Sequence, residues 1–102
     1  MNLEFLANLE KLLIERKQQM PAGSYTTKLY QSGPQKILQK VGEEAIEYIL
    51  DAQNADKQKA IYEGADLVYH FMVSLVAQGW SLADIIVELE KRHSPSAKPQ
   101  GS

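Results

Sequence analysis

The sequence has no cysteine, two histidines and a single tryptophan among its 102 residues. The lack of cysteine excludes disulfide bonds, thiolate nucleophiles and zinc sites built on thiolates. There is also little excess of one charge, because 11 basic and 13 acidic residues leave a formal net charge of −2. A general nucleic-acid-binding protein would carry clustered positive charge, so this balance argues against one.

The sequence also has no long hydrophobic run and no glycine-rich phosphate loop. The longest apolar run, residues 67–77, contains His70 and is far shorter than the roughly 20 residues that span a bilayer. The N-terminal stretch has glutamates among its apolar residues, unlike a secretory signal. We therefore predict a cytoplasmic protein with no membrane and no nucleic-acid partner. No Walker-type segment occurs, which leaves a P-loop mechanism without support.

Apolar residues recur at helical spacing over most of the chain, and no stretch alternates convincingly as a strand. The pattern predicts four helices, which cover residues 2–19, 34–53, 57–79 and 82–93. Residues 21–33 are predicted to be one long polar loop, of a length at which loops are often functional. The prediction is an all-α antiparallel four-helix bundle over residues 1–93. The Pro-, Ser- and Gly-rich tail, 94–102, is predicted to be disordered.

Acidic residues gather on the second and third predicted helices. Glu43, Glu44 and Glu47 lie within about 100° of one another around the second helix. They lie opposite its predicted core stripe, which consists of Leu38, Val41, Ala45, Ile49 and Ala52. The third helix is apolar apart from one stripe of polar positions, Glu63, Asp66, His70 and Ser74.

The two acidic stripes are expected to meet. In an antiparallel hairpin that turns at Ala55, residues equally far from Ala55 lie level, which pairs Glu47 with Glu63 and Glu44 with Asp66. Like charges in contact are destabilising, so a cation is expected among them. Carboxylates without cysteine and with little histidine favour Mg²⁺, or Mn²⁺, over zinc. The alternative, a solvated face of lysine–glutamate pairs, stays open at this point.

Mg²⁺ often binds a few carboxylates together with substrate phosphates. Basic residues within reach of the acidic stripes would then contact phosphate, and the candidates are Arg16, Lys28, Lys36, Lys40 and Arg92. The chemistry implied is metal-assisted attack of water on a phosphoanhydride. For His70 taken alone, a hydrogen-bonded core histidine is the simpler interpretation.

The pattern Glu43-Glu44-x-x-Glu47 followed by Glu63-x-x-Asp66 resembles the signature of the all-α nucleoside triphosphate pyrophosphatases. The segments "SYTTKLYQSGPQKILQKVGEEAIE" and "EGADLVYHFMVSL" are similar to the phosphoribosyl-ATP pyrophosphatase family, and the resemblance covers about residues 3–93. It implies an Mg²⁺-dependent enzyme of histidine biosynthesis that forms phosphoribosyl-AMP and pyrophosphate from a nucleotide substrate. It also implies a homodimer. One departure is Gly64, where the family usually has alanine.

The resemblance implies roles for individual residues. The metal ligands would be Glu44, Glu47, Glu63 and Asp66, with Glu43 as a further ligand or the residue that orients water. Substrate contacts carried over by position are Ser24, Tyr25, Thr26, Lys36, Lys40 and His70. Two other functions remain open: hydrolysis of dUTP or a damaged nucleotide by a related pyrophosphatase, and a non-catalytic helical interaction module.

Overall fold

A computed structural model describes residues 1–95, and this range contains five helices and no strand. The helices are α1 Glu4–Gln19, α2 Tyr25–Ser32, α3 Pro34–Gln53, α4 Lys57–Ala77 and α5 Leu82–His93. The all-α class is confirmed, as are the predicted helix ends at Gln19, Gln53 and His93. The predicted disordered tail falls, from residue 96 onward, outside the described residues.

The predicted long loop at 21–33 is wrong, because most of it forms α2. Ser24 has extended backbone and its hydroxyl accepts a hydrogen bond from the amide of Thr27 at 3.3 Å, which makes it the N-cap. Gly33 follows the helix with a φ of 92°, a conformation that favours glycine. Serine before the segment and glycine after it are signals of a short helix, which the polar composition of the segment obscures.

The most extensive helix contact joins α3 to α4 across a connection of three residues, 54–56. The apolar core lies beside the C-terminal part of α4 and draws on the first three helices as well. Its buried members are Leu13, Leu29, Ile37, Met72, Val73 and Val76. The core therefore fixes α1 and α2 against one end of the α3–α4 pair.

The prediction that the apolar stripe of α3 lies in the core is wrong within one chain. Leu38 is 51% exposed and Ile49 is 50% exposed, whereas Ile37 and Glu44 are buried. Helix α3 thus turns its acidic face toward α4 and its apolar stripe outward. The large apolar residues left exposed on the pair are Leu38, Ile46, Tyr48, Ile49, Leu50, Ile61, Tyr62 and Val68. We call this set the outer apolar face.

Helix α5 starts with the predicted capping box, in which Ser81 and Asp84 each accept a hydrogen bond from the other's backbone amide. The amide of Leu82 also donates to the Glu10 carboxylate of α1 at 2.6 Å. No residue of α5 is buried, although Leu82 is partly buried and packs against the core. Within residues 1–95 no single helix is long and apolar enough to cross a membrane, although α4 and α5, bent by 107°, reach that length and composition together.

Candidate metal and nucleotide site

Three carboxylates from α3 and α4 converge between the two helices. One oxygen from each of Glu44, Glu63 and Asp66 lies within 4.8 Å of the other two, and we call these residues the carboxylate trio. Among residues 1–95, the buried Oε2 atoms of Glu44 and Glu63 have no hydrogen-bond partner. A buried anionic oxygen without a donor is costly, and a bound cation would offset that cost. An all-oxygen donor set fits Mg²⁺ or Mn²⁺.

Glu47 lies beside the trio, next to Glu63, as the predicted level pairing requires. Burial of Glu63, together with its contacts to Glu47 and Glu44, raises the pKa of Glu63 to about 7. The anion of Glu63 is therefore disfavoured by its surroundings. Glu43 is half-buried outside the trio, and its Oε1 accepts a hydrogen bond from Gln39 Nε2 at 3.4 Å.

A groove of about 300 Å³ lies between α2 and the start of α3, and we call it the lysine groove. Its walls are Tyr25, Lys28, Leu29, Ser32, Lys36 and Lys40. Lys40 Nζ lies 3.3 Å from Glu44 Oε1, so one ion pair joins the groove to the carboxylate trio. The hydrogen bond to Glu44 raises the pKa of Lys40, which keeps the ammonium charged. A phosphate in this groove would meet several ammonium groups directly beside the candidate cation site.

Tyr25 and His70 connect α2 to α4 at the wall of this groove. The Tyr25 hydroxyl lies 2.9 Å from His70 Nε2, and His70 Nδ1 lies 2.7 Å from the backbone oxygen of Asp66. Burial raises the pKa of Tyr25; Lys40 lowers it, while nearby Tyr69, Glu44 and Asp66 raise it further, and the net direction is upward. The Tyr25 hydroxyl therefore keeps its proton at neutral pH and can donate a hydrogen bond.

The other predicted substrate contacts lie in three different places. Arg16 Nη1 donates to Ser24 Oγ at 3.2 Å, and both line a cavity of about 460 Å³ at the start of α2. Thr26 is buried and shares a hydrogen bond with the Tyr69 hydroxyl. Arg92 is on α5, where its Nε lies 2.9 Å from Glu88 Oε2, and that is its one ion pair among the described residues. The structure does not bring Arg92 to the trio.

Sequence reasoning missed several residues around the site, chiefly because α2 was not predicted. Leu29 and Ser32 are the missed residues of α2. With the predicted Tyr25 and Lys28 they occupy positions i, i+3, i+4 and i+7, which form one helix face, and all four line the lysine groove. Tyr69, which bonds Thr26, was missed because an apolar helix gives no sign of which tyrosine has a polar partner. Near the connection at 54–56 between α3 and α4, Glu63 lines a cavity of about 400 Å³ with Asp51, Gln58, Lys59 and Tyr62.

Comparison with known proteins gives consistent matches over most of the chain. The sequence model of a family described as phosphoribosyl-ATP pyrophosphohydrolase matches residues 6–93. The chain is 49% identical over 92 residues to the phosphoribosyl-ATP pyrophosphatase of Leptospira biflexa serovar Patoc, covering 90% of this chain and 100% of that protein. It is 48% identical over 94 residues to the histidine biosynthesis bifunctional protein HisIE of Bacteroides thetaiotaomicron, covering 92% of this chain and 46% of that protein.

A third relative is the histidine biosynthesis bifunctional protein HisIE of Bacillus subtilis. It is 49% identical over 86 residues, which cover 84% of this chain and 41% of that protein. The chain thus spans less than half the length of these bifunctional relatives and the full length of the Leptospira protein.

Proposed function

Because this chain belongs to the phosphoribosyl-ATP pyrophosphohydrolase family, we propose that it hydrolyses phosphoribosyl-ATP to phosphoribosyl-AMP and pyrophosphate. The observation that carries the proposal is the ion pair between Lys40 and Glu44. It places a groove lined by lysines, suited to phosphates, directly beside three converging carboxylates, suited to a divalent cation. An enzyme of this step in histidine biosynthesis would act in the cytoplasm, on a small-molecule nucleotide and without nucleic acid or membrane as partner.

Glu44, Glu63 and Asp66 are the proposed ligands of Mg²⁺, or of Mn²⁺, with Glu47 as a fourth carboxylate at the edge of the trio. The support is the set of buried carboxylate oxygens that lack donors and the raised pKa of Glu63. A divalent ion bound there would supply charge neutralisation and an activated water for attack on phosphorus.

The residues around the trio have complementary proposed tasks. Lys28, Lys36 and Lys40 would bind the phosphates and hold the scissile anhydride beside the carboxylates. Lys40 is poised to exchange its bond with Glu44 for one with a phosphate oxygen. Glu43, half-buried on the same helix, would orient the attacking water by accepting its hydrogen bond.

Arg16 and Ser24 are proposed to contact a more remote part of the substrate, because they line a separate cavity at the start of α2. Thr26 would act through Tyr69 rather than directly, since it is buried against that hydroxyl. Arg92 remains a proposed substrate contact only if α5 approaches the site in an assembly.

The proposed assembly is a homodimer. Exposed apolar side chains gathered on a helix pair are the usual mark of a protein interface, and the outer apolar face has eight large ones. A second copy of this chain would cover them, and α3 and α4 would contribute, as an antiparallel pair, two helices to a four-helix bundle shared between copies.

The deciding assay measures pyrophosphate release from phosphoribosyl-ATP, ATP, dUTP and an oxidised nucleoside triphosphate, each with and without Mg²⁺. We expect Mg²⁺-dependent release that is at least tenfold faster, in kcat/KM, from phosphoribosyl-ATP than from the others. Faster release from dUTP or the damaged nucleotide would replace the proposed substrate. No release from any of them, with no Mg²⁺ binding, would leave a helical interaction module as the function.

A further inference from the structure

His70 lies in the interior of the protein although its neighbours on the sequence include proposed ligands. Its side chain is 4% exposed, and its ring meets those of Tyr25 and Tyr69 edge-on, with centroid distances of 5.9 and 5.2 Å. Both ring nitrogens are already hydrogen-bonded, to the Asp66 backbone oxygen and to the Tyr25 hydroxyl. A direct contact with substrate would break one of these bonds, so the geometry favours an indirect role.

The direction of the two hydrogen bonds follows from the chemistry of the partners. The backbone oxygen of Asp66 can only accept, so His70 Nδ1 carries the proton. In the neutral ring Nε2 then has a lone pair, and the Tyr25 hydroxyl donates to it. The chain of bonds runs from Tyr25 through His70 to the backbone of α4.

These two hydrogen bonds determine whether the Tyr25 oxygen acts as a donor or an acceptor toward the groove. Tyr25 is 51% exposed and lines the lysine groove. A freely rotating hydroxyl can present either its proton or its lone pairs, but here the proton is committed to His70. The oxygen can therefore accept from an ammonium, such as that of Lys40, or from a substrate hydroxyl. An unprotonated phosphate oxygen at that point would be repelled.

We infer that His70 is a positioning residue that fixes the Tyr25 hydroxyl as a hydrogen-bond acceptor at the wall of the lysine groove. The inference rests on the proposed function for the identity of the substrate, and on the two hydrogen bonds for the role itself. It assigns to His70 a task distinct from substrate contact.

A double-mutant cycle separates this role from a merely structural one. We expect Tyr25→Phe and His70→Leu each to lower kcat/KM by about tenfold, the order of one hydrogen bond. If His70 acts through the Tyr25 hydroxyl, the double variant is no slower than the slower single variant. Multiplied effects, about a hundredfold loss in the double variant, would overturn the inference.

The matched control is Tyr30→Phe, which removes a hydroxyl on the same helix that donates to the Leu13 backbone oxygen at 2.9 Å. It should leave kcat/KM within about twofold of wild type, and combining it with His70→Leu should give independent effects. A loss in Tyr30→Phe as large as that in Tyr25→Phe, and not multiplied by the loss in His70→Leu, would mean that His70 acts through the packing of α2, against the inference.

Conservative variants keep the test decisive if His70→Leu folds poorly. The amide of glutamine extends about as far as Nε2 and can accept from Tyr25, whereas that of asparagine reaches about as far as Nδ1. His70→Gln should therefore retain more than half of the wild-type kcat/KM and His70→Asn about a tenth. The opposite order would refute the positioning role.

Wild-type turnover of phosphoribosyl-ATP tests the proposed function before any variant is compared. Should the wild type fail to hydrolyse it, the ¹⁵N resonances of His70 still decide the inference. A neutral ring with the proton on Nδ1, and an Nε2 resonance that shifts in Tyr25→Phe, supports it. A ring protonated on Nε2, alone or on both nitrogens, overturns it.

Discussion

Glu44 of α3 and Asp66 of α4 lie equally far along the chain from Ala55, and a carboxylate oxygen of each lies within 4.8 Å of the other. Glu44 is 5% exposed, so one member of this pair is removed from water. Two carboxylates this close in a partly buried site repel each other unless a proton or a cation lies between them.

Asp66→Asn and Glu47→Ala should each lower kcat by about a hundredfold or more, because charge neutralisation by a bound metal is worth several kcal/mol. Circular dichroism should show unchanged helix content. Glu88→Gln is the control, since Glu88 pairs with Arg92 on α5 away from the trio. Most of the wild-type rate in either site variant would rule out that residue as a ligand.

Glu44→Gln should preserve or raise the stability of the metal-free protein, because it removes one of the crowded charges. Saturating Mg²⁺ should stabilise the wild type by RT ln(1 + [Mg²⁺]/Kd), about 2.7 kcal/mol at a hundredfold excess over Kd. The variant should gain much less. Melting curves at fixed ionic strength measure both effects, and an equal gain in the two proteins would contradict the cation site.

The stability of the metal-free protein should depend on pH through Glu63. Its pKa rises from an ordinary 4.5 to about 7 on folding, so between these values the folded state holds more protons than the unfolded state. The stability that protonated Glu63 contributes is therefore present in full below pH 4.5, and it is lost as pH rises toward 7. Denaturant midpoints measured at pH 5 and pH 7.5 should show that stability falls less in Glu63→Gln than in the wild type. In the wild type, Mg²⁺ should reduce the fall. An identical fall in the wild type and the variant would show that Glu63 does not titrate in this window.

Gly64→Ala should stabilise the protein by about 0.5–1 kcal/mol, the helix-propensity difference between these residues. A Cβ at Gly64 would lie 3.6 Å from the Tyr48 ring, an ordinary packing distance. Gly79→Ala is the control of opposite sign, because Gly79 has a φ of 80°. Urea denaturation measures both, and destabilisation by Gly64→Ala would mean that α3 and α4 approach more closely there.

Ile49→Glu should dissociate the proposed homodimer, because it places a charge in the outer apolar face, where Ile49 is half-exposed. Phe5→Glu, at a comparably exposed apolar residue of α1, should leave the assembly intact. Sedimentation at micromolar concentration compares the two with the wild type. A wild type that sediments as a monomer would contradict the dimer directly.

Local sequence determined the helices and the residues that can approach one another. The period of the apolar residues defines α3, α4 and α5, and the Ser81–Asp84 capping box fixes the start of α5. The short connection at 54–56 allows few ways of placing residues of α3 beside residues of α4. Counting residues from the connection therefore suffices to predict that Glu44 and Asp66 lie side by side. The same counting does not reveal α2, since polar residues with helical spacing also occur in loops.

Only the tertiary structure decided which face of α3 is inside. A helix with an apolar stripe on one side and carboxylates on the other is expected to bury the stripe, which predicts that Leu38 and Ile49 lie in the core. In the structure α3 buries Ile37 and Glu44 instead, and it leaves the stripe half-exposed. The physical reason is that all neighbours of a helix together decide which of its faces is buried. Apolar residues of α1, α2 and α4 pack around Ile37, and the proposed cation would offset the repulsion between Glu44 and the carboxylates of α4. Periodicity gives the angle between the two faces of a helix, but it contains no information about which neighbour each face will meet.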